Sequence, residues 1–202
     1  MRLILVRHGQ SEWNALGRLQ GVSDPPLSAA GRAEAVALGP FVAALGPDVA
    51  VSSDLRRAVV TRELLGLPAA VAVAEPDPRW RESDLGEWTG RLPGDLSPAE
   101  HADFLRWRVG RHTPPGGESW ERTRARVAAA ARDLEATGAG RAVVVTHGGP
   151  VRALCHELAG LDPEAMVPVA NATVTIIETQ PAPHLVAFGM SPDPRSSDRH
   201  LG

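Results

Sequence analysis

The hydrophobic positions of the chain fall into short blocks that predict strands alternating with helices. The first block, Leu3-Ile4-Leu5-Val6, is apolar without alternation, which is typical of a strand buried on both faces. Similar blocks predict strands over 49–51, 71–74, 142–146, 173–178 and 184–188. Strands that alternate with helices of about a dozen residues indicate an α/β fold with a largely parallel sheet.

Capping residues predict where the helices begin. Ser28 is a good N-cap for a helix that runs to about residue 38, and Pro40 should kink or restart this helix. Asp54 is a candidate cap for a helix over 55–65. The first helix is expected to turn Ala33, Val36 and Ala37 toward the core. Three more helices are predicted over 98–109, 119–136 and 150–159.

Residues 75–117 differ from the rest of the chain because they combine many Pro and Gly residues with Trp and charged side chains. We expect this stretch to be an excursion that covers a site, within a single domain over 1–188. Pro, Ser and charged residues over 189–202 predict a loose C-terminal tail. We interpret four Trp side chains as packing residues under this excursion, and the alternative is a surface that stacks on bases or sugars. These side chains are Trp80, Trp88, Trp107 and Trp120.

Composition limits the partners that the chain can have. Of its 202 residues, 43% are hydrophobic and 22% are charged, as in a soluble globular protein. The net charge of -3 gives no general attraction to nucleic acid or anionic membranes, and no apolar run approaches a bilayer span. The N-terminal apolar run is too short for a signal peptide, and Cys155 has no second cysteine for a disulfide. We therefore expect a cytoplasmic protein with no nucleic-acid or membrane partner.

Polar segments follow three of the predicted strands directly, at Arg7-His8-Gly9, at 52–57 and at Thr146-His147-Gly148. The carboxyl ends of the strands line the ligand crevice of an open α/β sheet, so these segments should converge. Arg suits phosphate oxygens, and a neutral His has a lone pair that can attack phosphorus. Neighbouring cations stabilise a transferring phosphoryl group, so no metal is required. A protonated carboxyl group would complete the set; Glu82 is the candidate and Asp84 its competitor.

Six motifs occur in one order along residues 1–180, among them LVRHGQSEWN at 5–14 and VTHGG at 145–149. The others lie at 19–31, 52–61, 81–90 and 115–119, and NATVT follows at 171–175. Any one of these short motifs is weak evidence, but six in order are specific. Together they resemble the histidine phosphatase superfamily, the group that includes cofactor-dependent phosphoglycerate mutase.

This resemblance implies a three-layer α/β/α sandwich with a mostly parallel central sheet. It implies that His8 is the nucleophile that becomes phosphohistidine, and that Glu82 is first the proton donor and then the base that activates water. It implies no metal and no other cofactor. The phosphate pocket that it implies is formed by Arg7, Arg57 and His147 with Asn14, and Gln20, Ser11 and Gly148 lie close to it.

The choice within the family is between hydrolysis and phosphoryl transfer. The mutases follow the acidic Glu with Arg-His-Tyr-Gly and use Lys, whereas Ser83-Asp84-Leu85-Gly86 stands here and all 21 basic residues are Arg. We therefore predict a metal-independent phosphomonoesterase for a small phosphorylated metabolite. The alternatives are a bisphosphoglycerate-dependent phosphoglycerate mutase and a non-catalytic phospho-ligand binding module. The basic residues at 106–112 are candidates for gripping a second anionic group of the substrate, and the oligomeric state stays open, a homodimer included.

Overall fold

One six-stranded sheet forms the centre of the protein in the computed structural model, which describes residues 1–192. Its strands are β1 (Arg2–Arg7), β2 (Val49–Ser52), β3 (Ala72–Val73), β4 (Arg141–Thr146), β5 (Val174–Glu178) and β6 (His184–Met190), in the order β3-β2-β4-β1-β5-β6. The strands β3, β2, β4 and β1 are parallel to one another. Strand β5 runs antiparallel to β1, and β6 runs antiparallel to β5. The predicted α/β fold with a mostly parallel sheet is confirmed.

Helices cover both faces of the sheet because its central strands bury alternate side chains on opposite sides. The helices are α1 (Glu12–Ala15), α2 (Ala29–Ala44), α3 (Arg56–Leu64), α4 (Pro98–Arg108), α5 (Trp120–Ala136) and α6 (Gly148–Ala159). Leu3 and Leu5 of β1 belong to a core with α5 and α6. Ile4 and Val6, the residues between and after them, belong to a second core with α2 and α3. The result is the expected α/β/α sandwich.

Three predictions about helices were wrong: the end of the first helix near residue 38, the residues that it turns to the core, and Asp54 as the cap of α3. Helix α2 continues through Pro40 to Ala44, and its buried positions are Gly31, Ala35, Leu38, Gly39 and Val42. The large side chains Leu38 and Val42 determine which face packs on the sheet, so Ala33, Val36 and Ala37 are exposed. Asp54 does not cap α3, because its carboxylate binds Arg81. The amide of Arg56 donates instead to Asp24 Oδ1 at 2.8 Å.

The stretch over 75–117 folds back on the sheet with a small core of its own. It contains three 3-10 turns and α4, and the buried residues of its small core are Leu85, Trp88, Leu96 and Phe104. Trp80 and Trp88 are each 1% exposed, so packing is confirmed for these two. Strand β6 extends to Met190, two residues past the predicted domain boundary, and the rest of the predicted tail, 193–202, lies outside the described residues.

Within residues 1–192 no helix combines the length and apolar character needed to cross a bilayer. Cys155 is a free thiol buried in the core shared by α5 and α6, where burial raises its pKa to about 12. Its position on α6 agrees with the interpretation of Cys155 as a small core residue.

Candidate active site

The two histidines that follow strands meet because those strands are neighbours in register. Arg7 at the end of β1 pairs with Thr146 at the end of β4. The residues that come next, His8 and His147, therefore leave the sheet side by side, with ring centroids 5.0 Å apart and an interplanar angle of 61°. Arg57, in the first turn of α3, reaches the same point from the neighbouring strand β2. The predicted convergence of the three polar segments is confirmed.

His8 is buried, and its hydrogen bonds assign its tautomer. The Nδ1–H group donates to the carbonyl of Gly9 at 2.7 Å, and Nε2 accepts from Nε of Arg57 at 3.3 Å. Burial, followed by the charges of Arg57 and Arg7, holds the pKa of His8 well below its usual value of 6.5. The imidazole is therefore neutral at physiological pH, with its lone pair on Nε2.

Two arginines bring positive charge to this point. Arg57 is fixed by its backbone acceptors, donating to the carbonyls of Ser23 at 2.6 Å and Gly21 at 2.9 Å. Burial lowers the pKa of Arg57 to about 10, which keeps the guanidinium charged at neutral pH. Arg7 donates to the carbonyl of Val169, while its Nε is buried and has no acceptor within residues 1–192. A buried donor of this kind suits an anionic ligand.

His147 and Gly148 complete the inner part of the site. Both ring nitrogens of His147 are buried without a hydrogen-bond partner in the described part of the chain. Burial, and then the charge of Arg57, holds the pKa of His147 well below 6.5. Gly148 is the first residue of α6 and lies against the guanidinium of Arg7. The amide at this helix N-terminus and the single N–H group of the neutral His147 imidazole can each donate a hydrogen bond to a phosphate oxygen.

Polar side chains of the loop after β1 form a network beside His8. As the N-cap of α1, Ser11 Oγ accepts from the backbone amide of Asn14 at 3.0 Å. The same hydroxyl group donates to Gln20 Oε1 at 2.7 Å. Asn14 Oδ1 accepts from Asn171 Nδ2 at 3.2 Å, and that amide also donates to the carbonyl of His8 at 3.0 Å. Asn14 and Gln20 use their side-chain oxygens in these bonds, so within residues 1–192 their NH₂ groups are left to donate to a ligand. Ser11 is fully buried, and its hydroxyl lies within hydrogen-bond distance of both side-chain oxygens, so it orients these two side chains.

Glu82 is held by the backbone of the first turn of α6. Its Oε1 accepts from the amide of Ser83 at 2.9 Å, and Oε1 and Oε2 lie 3.1 and 3.2 Å from the amide nitrogen of Gly149. A Cβ atom at Gly149 would overlap Oε1 of Glu82, so a side chain at this position would displace the carboxyl group. Asp84, the competing candidate, accepts from the amide of Gly86 at 2.9 Å and does not line the cavity that Glu82 and Arg7 share.

Arg126 of α5 contacts the backbone that carries Glu82, and the sequence did not predict this contact. Its guanidinium donates to the carbonyls of Arg79 and Arg81 at 2.7 Å each and to that of Glu82 at 3.2 Å. The same guanidinium donates to both carboxylate oxygens of Glu118, from Nε to Oε1 and from Nη2 to Oε2, each at 2.8 Å. The backbone that carries Glu82 is thus fixed by a side chain of a distant helix. The nearest sequence signal was Glu118, which lies in one of the six motifs.

A cavity of about 630 Å³ opens from this site. Arg7, Glu82 and Gly148 line its inner end, and the excursion, the start of α5 and the loop after α6 form its walls. Trp107 and Trp120 form part of these walls, whereas Trp80 and Trp88 are buried and do not line the cavity. In the described part of the chain no three His, Cys, Asp or Glu side chains form a group that could hold a metal ion.

The family model of the histidine phosphatase superfamily (branch 1) matches residues 3–187. The chain therefore belongs to this superfamily, and it is a phosphatase. It is similar to the glucosyl-3-phosphoglycerate phosphatase of Mycolicibacterium vanbaalenii, with 41% identity over 175 residues that make up 79% of this chain and 75% of the relative.

Two other comparisons cover still more of the chain. A solved structure of mycobacterial glucosyl-3-phosphoglycerate phosphatase in complex with VO3 has a TM-score of 0.87 and 32% identity, over 94% of this chain and 99% of that one. A 2,3-bisphosphoglycerate-dependent phosphoglycerate mutase from Chelativorans sp. is 38% identical over 182 residues, which are 85% of this chain and 87% of the relative. The chain is therefore similar both to phosphatases and to a phosphoglycerate mutase.

Proposed function

We propose that the protein is a metal-independent phosphomonoesterase that hydrolyses a small phosphorylated metabolite through a phosphohistidine at His8. The observation that carries this proposal is the neutral, buried imidazole of His8, whose Nε2 faces Arg57 and whose ring lies against His147. A module that only bound phosphate would need the arginines alone. It would need neither a histidine held neutral nor a carboxyl group placed at the mouth of the site.

In the first step, the lone pair of His8 Nε2 attacks phosphorus, and the bond from phosphorus to the alcohol oxygen breaks. The alcohol oxygen takes the bonding electrons and receives the proton of the Glu82 carboxyl group. We assign the phosphate oxygens to Arg7, Arg57 and His147, whose donors are buried near His8, together with the amide of Gly148, which begins α6 beside Arg7. The NH₂ groups of Asn14 and Gln20 assist, and Ser11 acts through these two side chains.

In the second step, a water oxygen attacks phosphorus and the phosphorus–nitrogen bond breaks, which returns the electron pair to Nε2 of His8. The Glu82 carboxylate takes the proton from the water, so the carboxyl group is restored for the next substrate. The products are inorganic phosphate and the alcohol, and each group of the protein ends in the state in which it began. The cations that stabilise the transferring phosphoryl group are supplied by the protein itself.

The proposal is tested by hydrolysis of p-nitrophenyl phosphate with a chelator in excess. We expect full activity with chelator present and complete loss in His8→Ala. Loss of activity on chelation, or full activity of His8→Ala, contradicts the metal-free phosphohistidine route. The mutase alternative is tested separately with 3-phosphoglycerate and bisphosphoglycerate, from which we expect phosphate and little 2-phosphoglycerate.

The names of the similar phosphatases give glucosyl-3-phosphoglycerate as one candidate substrate for a screen of phosphomonoesters.

We also keep the cytoplasmic location as a proposal, supported by a single cysteine, Cys155, that is a buried free thiol.

A further inference from the structure

Two arginines on the wall of the large cavity have no acidic partner among residues 1–192. Within residues 1–192 neither Arg108 nor Arg152 forms an ion pair, and Glu164, an acidic residue of the cavity wall, pairs with Arg111 at 2.9 Å instead. Arg152 lies in the second turn of α6 and donates through Nη2 to the carbonyl of Pro163 at 2.8 Å. Its Nε is buried and has no acceptor in the described part of the chain. Such a donor at a cavity wall is suited to a ligand.

Arg152 is also held on an aromatic surface. Its guanidinium carbon lies 5.9 Å from the centroid of the Trp120 ring, within the range of a cation–π contact. Burial, and then the charge of Arg108, lowers the pKa of Arg152, while the charge of Glu82 acts in the opposite direction. The two arginines therefore repel each other, and an anion bound near both would relieve that repulsion.

Arg152 lines the same cavity as Glu82 and is not one of the residues assigned to the reacting phosphate. His8, Arg57 and His147 surround the inner site and do not line the cavity, whereas Arg152 lines it together with Glu82. Because Glu82 is the proton donor to the alcohol oxygen in the proposed function, the cavity beyond it is where the alcohol part of a substrate lies. The cavity is much larger than a simple alcohol needs, and aromatic side chains such as Phe104 and Trp107 form part of its walls.

We propose that Arg152, seated on Trp120 and assisted by Arg108, binds a second anionic group on the alcohol part of the substrate. This proposal rests on the proposed phosphatase function and narrows its substrate class. The substrate is a phosphomonoester whose alcohol carries a carboxylate or a second phosphate, attached to a body with apolar or ring faces. The guanidinium fork of Arg152 offers its free donor to either of these anions.

Matched substrates test this subsite. 3-Phosphoglycerate and glycerol 3-phosphate differ in a carboxylate against a CH₂OH group, and fructose 1,6-bisphosphate and fructose 6-phosphate differ in a second phosphate. We expect kcat/KM to favour the more anionic member of at least one pair by about tenfold or more, as a hydrogen bond to a charged group predicts. The pair that shows the preference identifies the anion. Arg152→Gln should abolish the preference, and Arg152→Lys should keep part of it.

Arg32→Gln, at an exposed position of α2, is the control and should keep the preference of the unaltered protein. If Arg152→Gln does not fold, inhibition of the unaltered protein gives the answer, because glycerate should inhibit hydrolysis of p-nitrophenyl phosphate more strongly than glycerol. Equal kcat/KM values within both pairs, or a preference that survives Arg152→Gln, would overturn the subsite. No hydrolysis of p-nitrophenyl phosphate would instead overturn the proposed function.

Discussion

The carboxylate of Glu82 and the backbone amide of Gly149 are joined through both carboxylate oxygens, at 3.1 and 3.2 Å. Gly149 is two residues after His147, in the first turn of α6. One turn of backbone therefore sets the positions of the buried imidazole of His147 and of the carboxyl group. The geometry links the two ends of the proposed reaction, phosphate binding and proton transfer to the alcohol.

Gly149→Ala should displace the carboxyl group of Glu82, because the added methyl would overlap Oε1. We expect kcat/KM for an alkyl phosphate to fall by about 10²-fold, the loss typical of a catalytic group moved by about 1 Å. The matched control is Gly94→Ala, since a Cβ at Gly94 has no neighbour within 4 Å. Steady-state kinetics of both variants checks this expectation. Equal activity of Gly149→Ala and Gly94→Ala would show that the position of Glu82 is unimportant.

Glu82→Gln removes the proton but keeps the shape of the side chain. We expect kcat/KM to fall by about 10²-fold or more for an alkyl phosphate, the size of effect usual for general acid catalysis. The loss should be much smaller for p-nitrophenyl phosphate, whose leaving group needs little protonation. Because kcat/KM reports the steps up to release of the alcohol, the later activation of water does not mask the difference. Equal losses with both substrates would argue against Glu82 as the acid.

Arg126→Gln should act on the reaction through Glu82, because Arg126 holds the carbonyls of Arg79, Arg81 and Glu82. We expect the same preference for the better leaving group as in Glu82→Gln, together with a loss of stability of about 2 kcal/mol from the unpaired Glu118. Arg132→Gln, at an exposed position of the same helix, is the matched control. A loss of stability with no change in leaving-group dependence would reduce Arg126 to a purely structural role.

The buried histidines predict how stability depends on pH. The pKa values of His8 and His147 are lowered in the folded protein, so below about pH 6.5 the unfolded chain binds protons that the folded protein does not. Stability should therefore fall as the pH is lowered from 7 to 5, by up to about 1.4 kcal/mol per pH unit for each histidine. Urea unfolding in phosphate-free buffer measures this slope. His147→Leu should make it shallower, and an unchanged slope would contradict a neutral, buried His147.

The sequence predicted the centre of the site well because a simple geometric rule applies there. His8 and His147 each follow a strand, and residues that follow adjacent parallel strands emerge together. The motif register likewise selected Glu82 over Asp84, and only Glu82 faces the cavity with Arg7. In these cases local order along the chain determines position in space.

Other features depend on contacts between distant segments and could not be predicted. Arg126 lies on a helix whose charged residues are mostly solvated, and the carbonyls that it binds are 44 to 47 residues away in the chain. The carboxylate that accepts from the first amide of α3 belongs to Asp24 and not to Asp54, because Asp54 binds Arg81. Neither the contacts of Arg126 nor the choice of Asp24 over Asp54 has a signature in local sequence, because both depend on the folded excursion.

The most direct test of the account is to trap the phosphoenzyme. A rapid quench into alkali during turnover, followed by mass spectrometry of the digested protein, reports which residue carries the phosphoryl group. We predict one phosphoryl group on His8, formed in the presence of chelator and lost as phosphate is released, with none on His8→Ala. A protein that turns over with no phosphoryl group on His8, or that carries it on another residue, would contradict the account.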